Sequence, residues 1–427
     1  MMTESPAEIA AYRKITLRIL PVLFLCYLMN YLDRVNVGFA KLQMLSDLQF
    51  SETIYGLGAG LFFIAYFIFE IPSNLIMHRY GARFLITSIM AAWGIISICM
   101  LFITTPTSFY LMRFLLGLAE SGFFPGVILY LTYWYPCERR ARMVALFLTA
   151  IAVSGSIGGP VSGWIMSHFQ NTDGLSSWQW LFLLEGVPSV LLALTLPFLL
   201  SNNIASSKWL TADEKELLTA RLKQGSAHID EPHAWFEVFR DQRVWVMMAL
   251  YFLILTPLYS LSFFLPTFIK EAGVEGFFNI GLFTAIPYSI AVVAMTWIAG
   301  RSDKMRERRW HLIFPLVIGA LGFVGTFYVD DSVFAAVGFF SIATAGVLSS
   351  VAVFWSLPTA FLTGVSSAAG IAMIASFGNL GGFVGPFMIG YIKDLTQSTA
   401  IPMMILAALM AVGSVITFCV PRGLVNK

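Results

Sequence analysis

Long apolar runs dominate the chain, and most reach about 20 residues, the length that a helix needs to cross the ~30 Å hydrocarbon core of a bilayer. Of the 427 residues, 58% are hydrophobic and only 12% are charged. The sequence lacks the alternating segments of about ten residues that are typical of membrane β-barrels. We therefore predict an all-α protein that crosses a membrane many times.

The predicted spans number twelve, and the basic residues test that number because cytoplasmic loops are rich in Lys and Arg. The spans are 16–44, 54–77, 84–104, 107–134, 143–169, 178–200, 243–269, 277–299, 311–329, 332–354, 360–391 and 398–420. Of the 26 Lys and Arg residues, Arg34 and Arg113 lie inside spans, and only Lys41, Lys270 and Lys393 lie on the side opposite the N-terminus. This pattern places both termini in the cytoplasm.

One extended polar stretch divides the spans into two sets of six. It predicts an N-terminal bundle of residues 1–200, a cytoplasmic central loop of 201–242 and a C-terminal bundle of 243–427. Within the loop, Thr211 and Glu214 have the spacing of a capping box and precede several apolar positions. A short amphipathic helix on the cytoplasmic surface is therefore expected.

Two further patterns concern how the helices meet. Short basic turns that contain glycine follow the second span at 78–83 and the eighth span at 300–309, which favours a duplicated six-helix unit. The fifth span is rich in small residues that predict bending and close contact with a neighbouring helix: Gly155, Gly158, Gly159 and Gly163.

Asp33 and Arg34 stand side by side inside the first span. Each charge at mid-membrane depth costs roughly 2.5–3.5 kcal/mol to insert, so both side chains are expected to face the bundle interior or a wet cavity. The two could neutralise each other, but adjacent residues of a helix point about 100° apart. We therefore expect each to have a partner on another helix.

Arg113 and Glu120 lie seven residues apart in the fourth span, so two helical turns place them on one face, about 10 Å apart. Together with the pair in the first span they could form a structural cluster, or an anion site beside a carboxyl that changes its protonation state. A guanidinium suits an anion site because its fork can bind a carboxylate with two hydrogen bonds. Glu70 and Glu185 lie near span ends, where water or a basic loop is expected within their reach, and structural roles are expected for them.

Several strings of sequence resemble a known family. They are NYLDRVNVGFA at 30–40, EIPSN at 70–74, RFLLGLAE at 113–120, WLTADE at 209–214 and GNLGGFVGP at 378–386. With the six-plus-six spans, these strings resemble the anion:cation symporter family of the major facilitator superfamily, in the branch of tartrate, phthalate and hydroxyphenylacetate permeases. The resemblance implies two pseudo-symmetric six-helix bundles. One departure is His78, which stands where the loop motif of the superfamily usually has an acid.

The resemblance also implies roles for individual residues. Asp33 and Glu120 would bind the coupled protons, Arg34 would bind the substrate carboxylate, and Arg113 would modulate Glu120. Further substrate contacts are expected from a mostly aromatic and neutral polar set: Tyr31, Tyr66, Trp355, Ser376 and Asn379.

Together these features predict a secondary active transporter that takes up a small organic carboxylate with protons by alternating access. A proton-independent anion exchanger or an efflux carrier is the alternative, and the two are distinguished by whether uptake requires a pH gradient. The sequence has no Ser/His/Asp set, metal-spaced His/Cys cluster or phosphate-binding loop that would favour an enzyme, and no large output domain that would favour a sensor. The expected partners are the carboxylate, protons and the lipid of the inner cell membrane, with no cofactor, no nucleic acid and a monomeric active form.

Overall fold

The structure is a computed structural model, and it describes residues 5–225, 240–328, 332–358 and 365–420. Within these residues the chain is helical apart from turns, two short 3-10 segments and an isolated bridge between Thr172 and Leu175. The α-helices are α1 (Pro6–Val35), α2 (Val37–Leu48), α3 (Glu52–Tyr80), α4 (Ala82–Cys99), α5 (Pro106–Glu120), α6 (Phe123–Thr132), α7 (Cys137–His168), α8 (Ser177–Leu199), α9 (Ala212–Gly225), α10 (Gln242–Glu271), α11 (Phe277–Met305), α12 (Arg309–Gly325), α13 (Val333–Phe354), α14 (Val365–Asn379), α15 (Gly381–Thr396) and α16 (Ala400–Cys419).

Twelve segments of the described residues are long and apolar enough to cross a membrane, which confirms the predicted fold class. The first segment is longer than predicted, because it begins at Pro6 and runs through α1 and α2 to Leu48. Residues 360–364, where the eleventh span was predicted to begin, lie outside the described residues. The polar start of α1 is helical because the Ser5 hydroxyl accepts the backbone N–H of Glu8 at 3.2 Å and Pro6 occupies the first turn.

The predicted surface helix is α9, and its first turn carries the expected capping box. The Thr211 N–H donates to Glu214 Oε2 at 2.8 Å, and the Glu214 N–H donates to Thr211 Oγ1 at 3.3 Å. The hydrogen bond from the Thr211 N–H lowers the pKa of Glu214. Lys14 Nζ lies 3.0 Å from Glu214 Oε2, and Arg221 Nε lies 3.3 Å from Glu8 Oε1. These two ion pairs hold α9 against the cytoplasmic end of α1.

The N-terminal set of spans (α1–α8) meets the C-terminal set (α10–α16) along α7 with α11 and along α3 with α15. A Cβ atom added to Gly281 of α11 would lie 2.2 Å from the carbonyl oxygen of Gly159, and one added to Gly163 would lie 2.5 Å from that of Phe277. The close contact that the glycines of the fifth span predicted is therefore present, and its partner belongs to the other set. Small residues of this kind allow helix backbones to approach in a bilayer.

Four charged residues join the two sets at the end that the charge pattern places outside. Lys41 Nζ lies 2.6 Å from Glu52 Oε2, and Lys393 Nζ lies 2.9 Å from Glu52 Oε1 and also pairs with Glu271. Next to them, Asp394 Oδ1 accepts the backbone N–H of Glu52 at 3.1 Å, at the positive end of α3. We call Lys41, Glu52, Glu271 and Lys393 the outer charge network, and it holds the external ends of the two sets together.

Replacing Gly281 with Leu is expected to destabilise the protein because the added side chain meets the backbone of Gly159. Overpacking of this kind costs about 1–3 kcal/mol. Gly300 lies on the same helix, and no atom lies within 4 Å of a Cβ added there. Thermal denaturation of the purified protein should therefore give a lower melting temperature for Gly281→Leu than for the control Gly300→Leu. Equal melting temperatures would contradict the close contact between α7 and α11.

Candidate functional site

A buried ion pair joins α1 and α5. Arg34 of α1 donates its Nε and Nη2 to Glu120 Oε2 of α5, at 3.1 and 2.8 Å, and Nη2 also donates to Asn30 Oδ1 at 3.2 Å. Arg34 is 8% exposed and Glu120 is fully buried. Both nitrogens bind the same oxygen, Oε2. The other oxygen of Glu120, Oε1, accepts no hydrogen bond of ordinary geometry from the described residues.

A glycine brings the charged face of α5 against α3. Gly117 lies four residues after Arg113 and three before Glu120, so the three share one helical face. A Cβ atom on Gly117 would lie only 2.0 Å from the carbonyl oxygen of Phe62. The Phe62 ring is consequently close to both guanidinium groups, with 5.1 Å from its centre to Cζ of Arg34 and 5.1 Å to Cζ of Arg113. Cation–π attraction at these distances partly replaces lost hydration.

Arg113 is fully buried and makes few polar contacts. Its Nη2 donates to the carbonyl oxygen of Ala59 at 3.4 Å, and its Cζ lies 5.6 Å from the centre of the Phe263 ring. Its Nε and Nη1 have no hydrogen-bond partner among the described residues. Within that part of the chain, Arg113 forms no ion pair with Glu120, so it can influence Glu120 only through space. Of the four charged residues considered, Arg34 and Glu120 thus form the one direct ion pair in the described part of the chain.

Asp33 points away from that pair. Its Oδ1 accepts the Ser97 hydroxyl of α4 at 3.1 Å, and its Oδ2 accepts the Ser189 hydroxyl of α8 at 2.7 Å. The side chain is 1% exposed, and it pairs with no cation among the described residues. As expected, Asp33 and its neighbour Arg34 face different helices.

The C-terminal set supplies neutral groups close to the ion pair. The Tyr259 hydroxyl donates to Asn379 Oδ1 at 3.2 Å, and Tyr259 also interacts electrostatically with Arg34. From the N-terminal set, Tyr66 lies under the guanidinium, with 5.5 Å between Arg34 Cζ and its ring centre. Tyr31 reaches across to the other set, where its hydroxyl lies 3.4 Å from Ser262 Oγ.

Two other candidates contact different partners. Ser376 donates its hydroxyl to Glu70 Oε2 at 2.6 Å, so this acid, which is 9% exposed, joins the two sets. The half-buried Trp355 packs against Tyr251, with 5.0 Å between their ring centres. Neither Ser376 nor Trp355 forms an observed hydrogen bond or ring contact with Arg34 or Glu120.

Sequence reasoning missed several of these contacts. Ser97 and Ser189 carried a usable signal, because a hydroxyl inside an apolar span needs a partner where water is absent. Phe62 carried none, since it is one of 38 phenylalanines and lies in an apolar stretch. No group of three or more His, Cys, Asp or Glu side chains in the described ranges could hold a metal ion.

Comparison with known proteins identifies relatives along the whole chain. The family described as Major Facilitator Superfamily matches residues 23–386. A protein of Pseudomonas putida named as a metabolite transport protein, NicT, is 47% identical over 98% of this chain and 96% of its own length. One of Agrobacterium vitis named as a tartrate transporter is 43% identical, with 98% and 96% covered. A quinolone resistance transporter of Acinetobacter baumannii is 41% identical, with 96% and 94% covered.

Among solved structures, a bacterial homologue of the human lysosomal transporter Spinster, in an inward-facing and occupied conformation, superposes with a TM-score of 0.79. The two chains are 15% identical, and 97% of each is covered, so the likeness concerns the fold. These comparisons confirm the predicted resemblance and the twelve-helix fold class.

Because Arg34 and Arg113 have different surroundings, replacing them with Met is expected to have opposite effects on the stability of the protein. Arg113→Met should raise the melting temperature of the substrate-free protein, because it removes a buried charge that forms no ion pair among the described residues and whose desolvation costs several kcal/mol. Arg34→Met should lower it, because Glu120 is left buried without its cation, at a cost of about 3–5 kcal/mol. Thermal denaturation in detergent measures both. Destabilisation by Arg113→Met equal to that by Arg34→Met would mean that Arg113 has an equally strong partner.

Proposed function

The chain belongs to the major facilitator superfamily, a family of membrane transporters and not of enzymes, and we propose that it takes up a small organic carboxylate together with protons. The observation that carries the proposal is the buried ion pair between Arg34 and Glu120. The names of the relatives, one of them given for tartrate, support an organic anion as the substrate. The bacterial relatives support a location in the inner membrane, where a monomer is the transporting unit.

Competition for one guanidinium couples the proton to the anion. Arg34 donates two nitrogens to Glu120, so a substrate carboxylate must compete with Glu120 for the same donors. A proton on Glu120 removes its negative charge and releases Arg34 for the substrate. By linkage, substrate binding then favours proton binding by the same factor. Glu120 Oε1, which accepts no ordinary hydrogen bond from the described residues, is the oxygen available to that proton.

The other candidate residues fit around this pair. Asp33 binds a second proton, since its carboxyl is buried and receives only neutral hydroxyl donors. Arg113 adds positive potential near Glu120 without contacting it. The substrate contacts the remaining predicted set, of which Tyr66 lies against the Arg34 guanidinium: Tyr31, Tyr66, Trp355, Ser376 and Asn379.

Alternating access follows from the two sets of spans. In this structure the outer charge network is closed, as expected of a state that releases substrate to the cytoplasm. The bundles of residues 1–200 and 243–427, linked by the loop 201–242, rock about the Arg34–Glu120 pair. Opening outwards requires the outer charge network to separate.

The second candidate function is export of an organic anion, and the relative named as a quinolone resistance transporter favours it. The direction of substrate movement relative to the proton gradient distinguishes proton-coupled uptake from export. Right-side-out and inside-out vesicles with equal proton gradients should both drive substrate in the direction of proton flow if the protein is a symporter. Unchanged uptake after the gradient is collapsed would instead favour a proton-independent exchanger.

Glu120→Gln is expected to abolish proton-driven accumulation, because the amide keeps the size of the side chain but cannot bind the coupled proton. Exchange of substrate across the membrane at equal pH should persist, since exchange needs no net proton movement. Both activities are measured in proteoliposomes with the substrate labelled. Normal accumulation by Glu120→Gln under a proton gradient would refute the assignment of Glu120.

Arg34→Ala is expected to remove carboxylate binding, because truncating one partner of a buried charge pair costs about 2–5 kcal/mol. Binding is measured by the thermal shift of the purified protein in the presence of mono- and dicarboxylates. This carboxylate panel includes tartrate, phthalate and hydroxyphenylacetate. Arg18 lies on the same helix, over the ring of Trp209, and Arg18→Ala is the control that should bind normally. Undiminished affinity of Arg34→Ala for the carboxylates would show that Arg34 does not bind them.

A further inference from the structure

Glu185 of α8 is a further buried acid in the N-terminal set, and the proposed transport cycle does not use it. It was expected near a span end, within reach of water or a basic loop, and that expectation is wrong. The residue is 6% exposed, and its Oε1 accepts the Ser162 hydroxyl of α7 at 2.7 Å. Its Oε2 has no hydrogen-bond partner of ordinary geometry among the described residues.

Glu185 and Asp33 are both neighbours of Ser189. Glu185 and Ser189 are four residues apart on α8, so they are neighbours on its surface. Ser189 donates to Asp33 Oδ2 at 2.7 Å. The charged groups that act on Asp33 are Glu185 and Glu120, and both are acids. Neither Asp33 nor Glu185 pairs with Lys, Arg or His in the described part of the chain.

A buried asparagine continues the polar path at the C-terminal end of α1. Asn36 follows Asp33 by three residues, is 1% exposed and interacts with Glu185. Both polar atoms of its side chain lack hydrogen-bond partners of ordinary geometry among the described residues. The polar groups therefore run from Asp33 towards Glu185, which is nearer than Ser189 to the external end of α8.

An ionised carboxylate that is removed from water without a cation costs several kcal/mol. Two such acids that both adjoin Ser189 would repel if both were ionised, so ionisation of one opposes ionisation of the other. The hydroxyl groups of Ser162 and Ser189 can donate and accept hydrogen bonds, which allows them to adapt to either protonation state.

We propose that Glu185 is a proton-carrying residue that delivers protons to Asp33 through Ser189, on a path separate from the Arg34–Glu120 anion site. This inference rests on the proposed function. In the step, the Glu185 carboxyl gives its proton to the Ser189 hydroxyl oxygen while that hydroxyl gives its own proton to the Asp33 carboxylate. Glu185 becomes a carboxylate, Asp33 becomes a carboxylic acid, and Ser189 is unchanged.

Glu185→Gln tests the path because glutamine keeps the shape and the oxygen that Ser162 binds, but it cannot carry a proton. We expect the initial rate of uptake driven by a pH gradient to fall about a hundredfold, as for loss of a positioned proton-transfer group. Counterflow at equal pH, measured with the labelled acid that binds best in the carboxylate panel, should stay close to wild type. Glu185→Asp should recover part of the gradient-driven rate.

Two control variants separate proton transfer from structure. Asp47 is an acid of the same set that accepts the Trp178 indole N–H at 3.0 Å, and Asp47→Asn should transport normally. Ser162→Ala removes the hydrogen bond to Glu185 but keeps the carboxyl, so its gradient-driven uptake should also be retained. A loss in Ser162→Ala as large as in Glu185→Gln would assign Glu185 a structural role and overturn the proposal.

Two other outcomes for Glu185→Gln would also overturn the proposed proton path. Retention of both activities would show that no proton passes through Glu185, and loss of both would show that the residue supports the fold or the anion site. Failure of the proposed function is recognised separately, because the wild-type protein would then show no uptake that depends on a pH gradient. Normal wild-type coupling together with a normal Glu185→Gln refutes only the proton path.

Discussion

Removing Arg34 and Glu120 from water costs each of them several kcal/mol of hydration, and their contact with each other has to return that energy. The packing of the N-terminal set serves this contact. Gly117 lets α5 approach the backbone at Phe62, and the Phe62 ring then lies against both Arg34 and Arg113. Under the proposed function, a substrate anion that takes Arg34 from Glu120 leaves a buried carboxylate behind, so binding of the anion favours binding of a proton at this site.

The buried acids have surroundings of two kinds, which suits different tasks. Glu120 is held by a guanidinium, so its protonation changes the charge that a substrate encounters. Asp33 and Glu185 are held by serine hydroxyls, and no cation competes for them among the described residues. A proton on Asp33 or Glu185 therefore takes no hydrogen-bond partner from Arg34, which under the proposed function allows proton delivery to be separated in space from anion binding.

The sequence was sufficient for the number of spans and the capping box of α9, because run length and residue spacing are local properties, while the orientation of the spans stays a prediction from the charge bias. It also indicated that Asp33 and Arg34 face different helices, since adjacent helical residues diverge by about 100°. It could not identify the partners, because the direction of a side chain on one helix does not reveal which neighbour it meets. The isolation of Arg113 and the burial of Glu185 depend on that tertiary arrangement.

The outer charge network contains one acid that serves two bases: Glu52 binds Lys41 with one oxygen and Lys393 with the other. Lys41 and Glu52 belong to the N-terminal set and Lys393 to the C-terminal set, so a small separation breaks the Glu52–Lys393 contact while Lys41 remains bound. Lys393 then keeps only Glu271, a residue of its own set. In the outward-open state of the proposed cycle, each set thus retains an internally neutralised pair, and the external opening is lined by paired charges instead of unpaired ones.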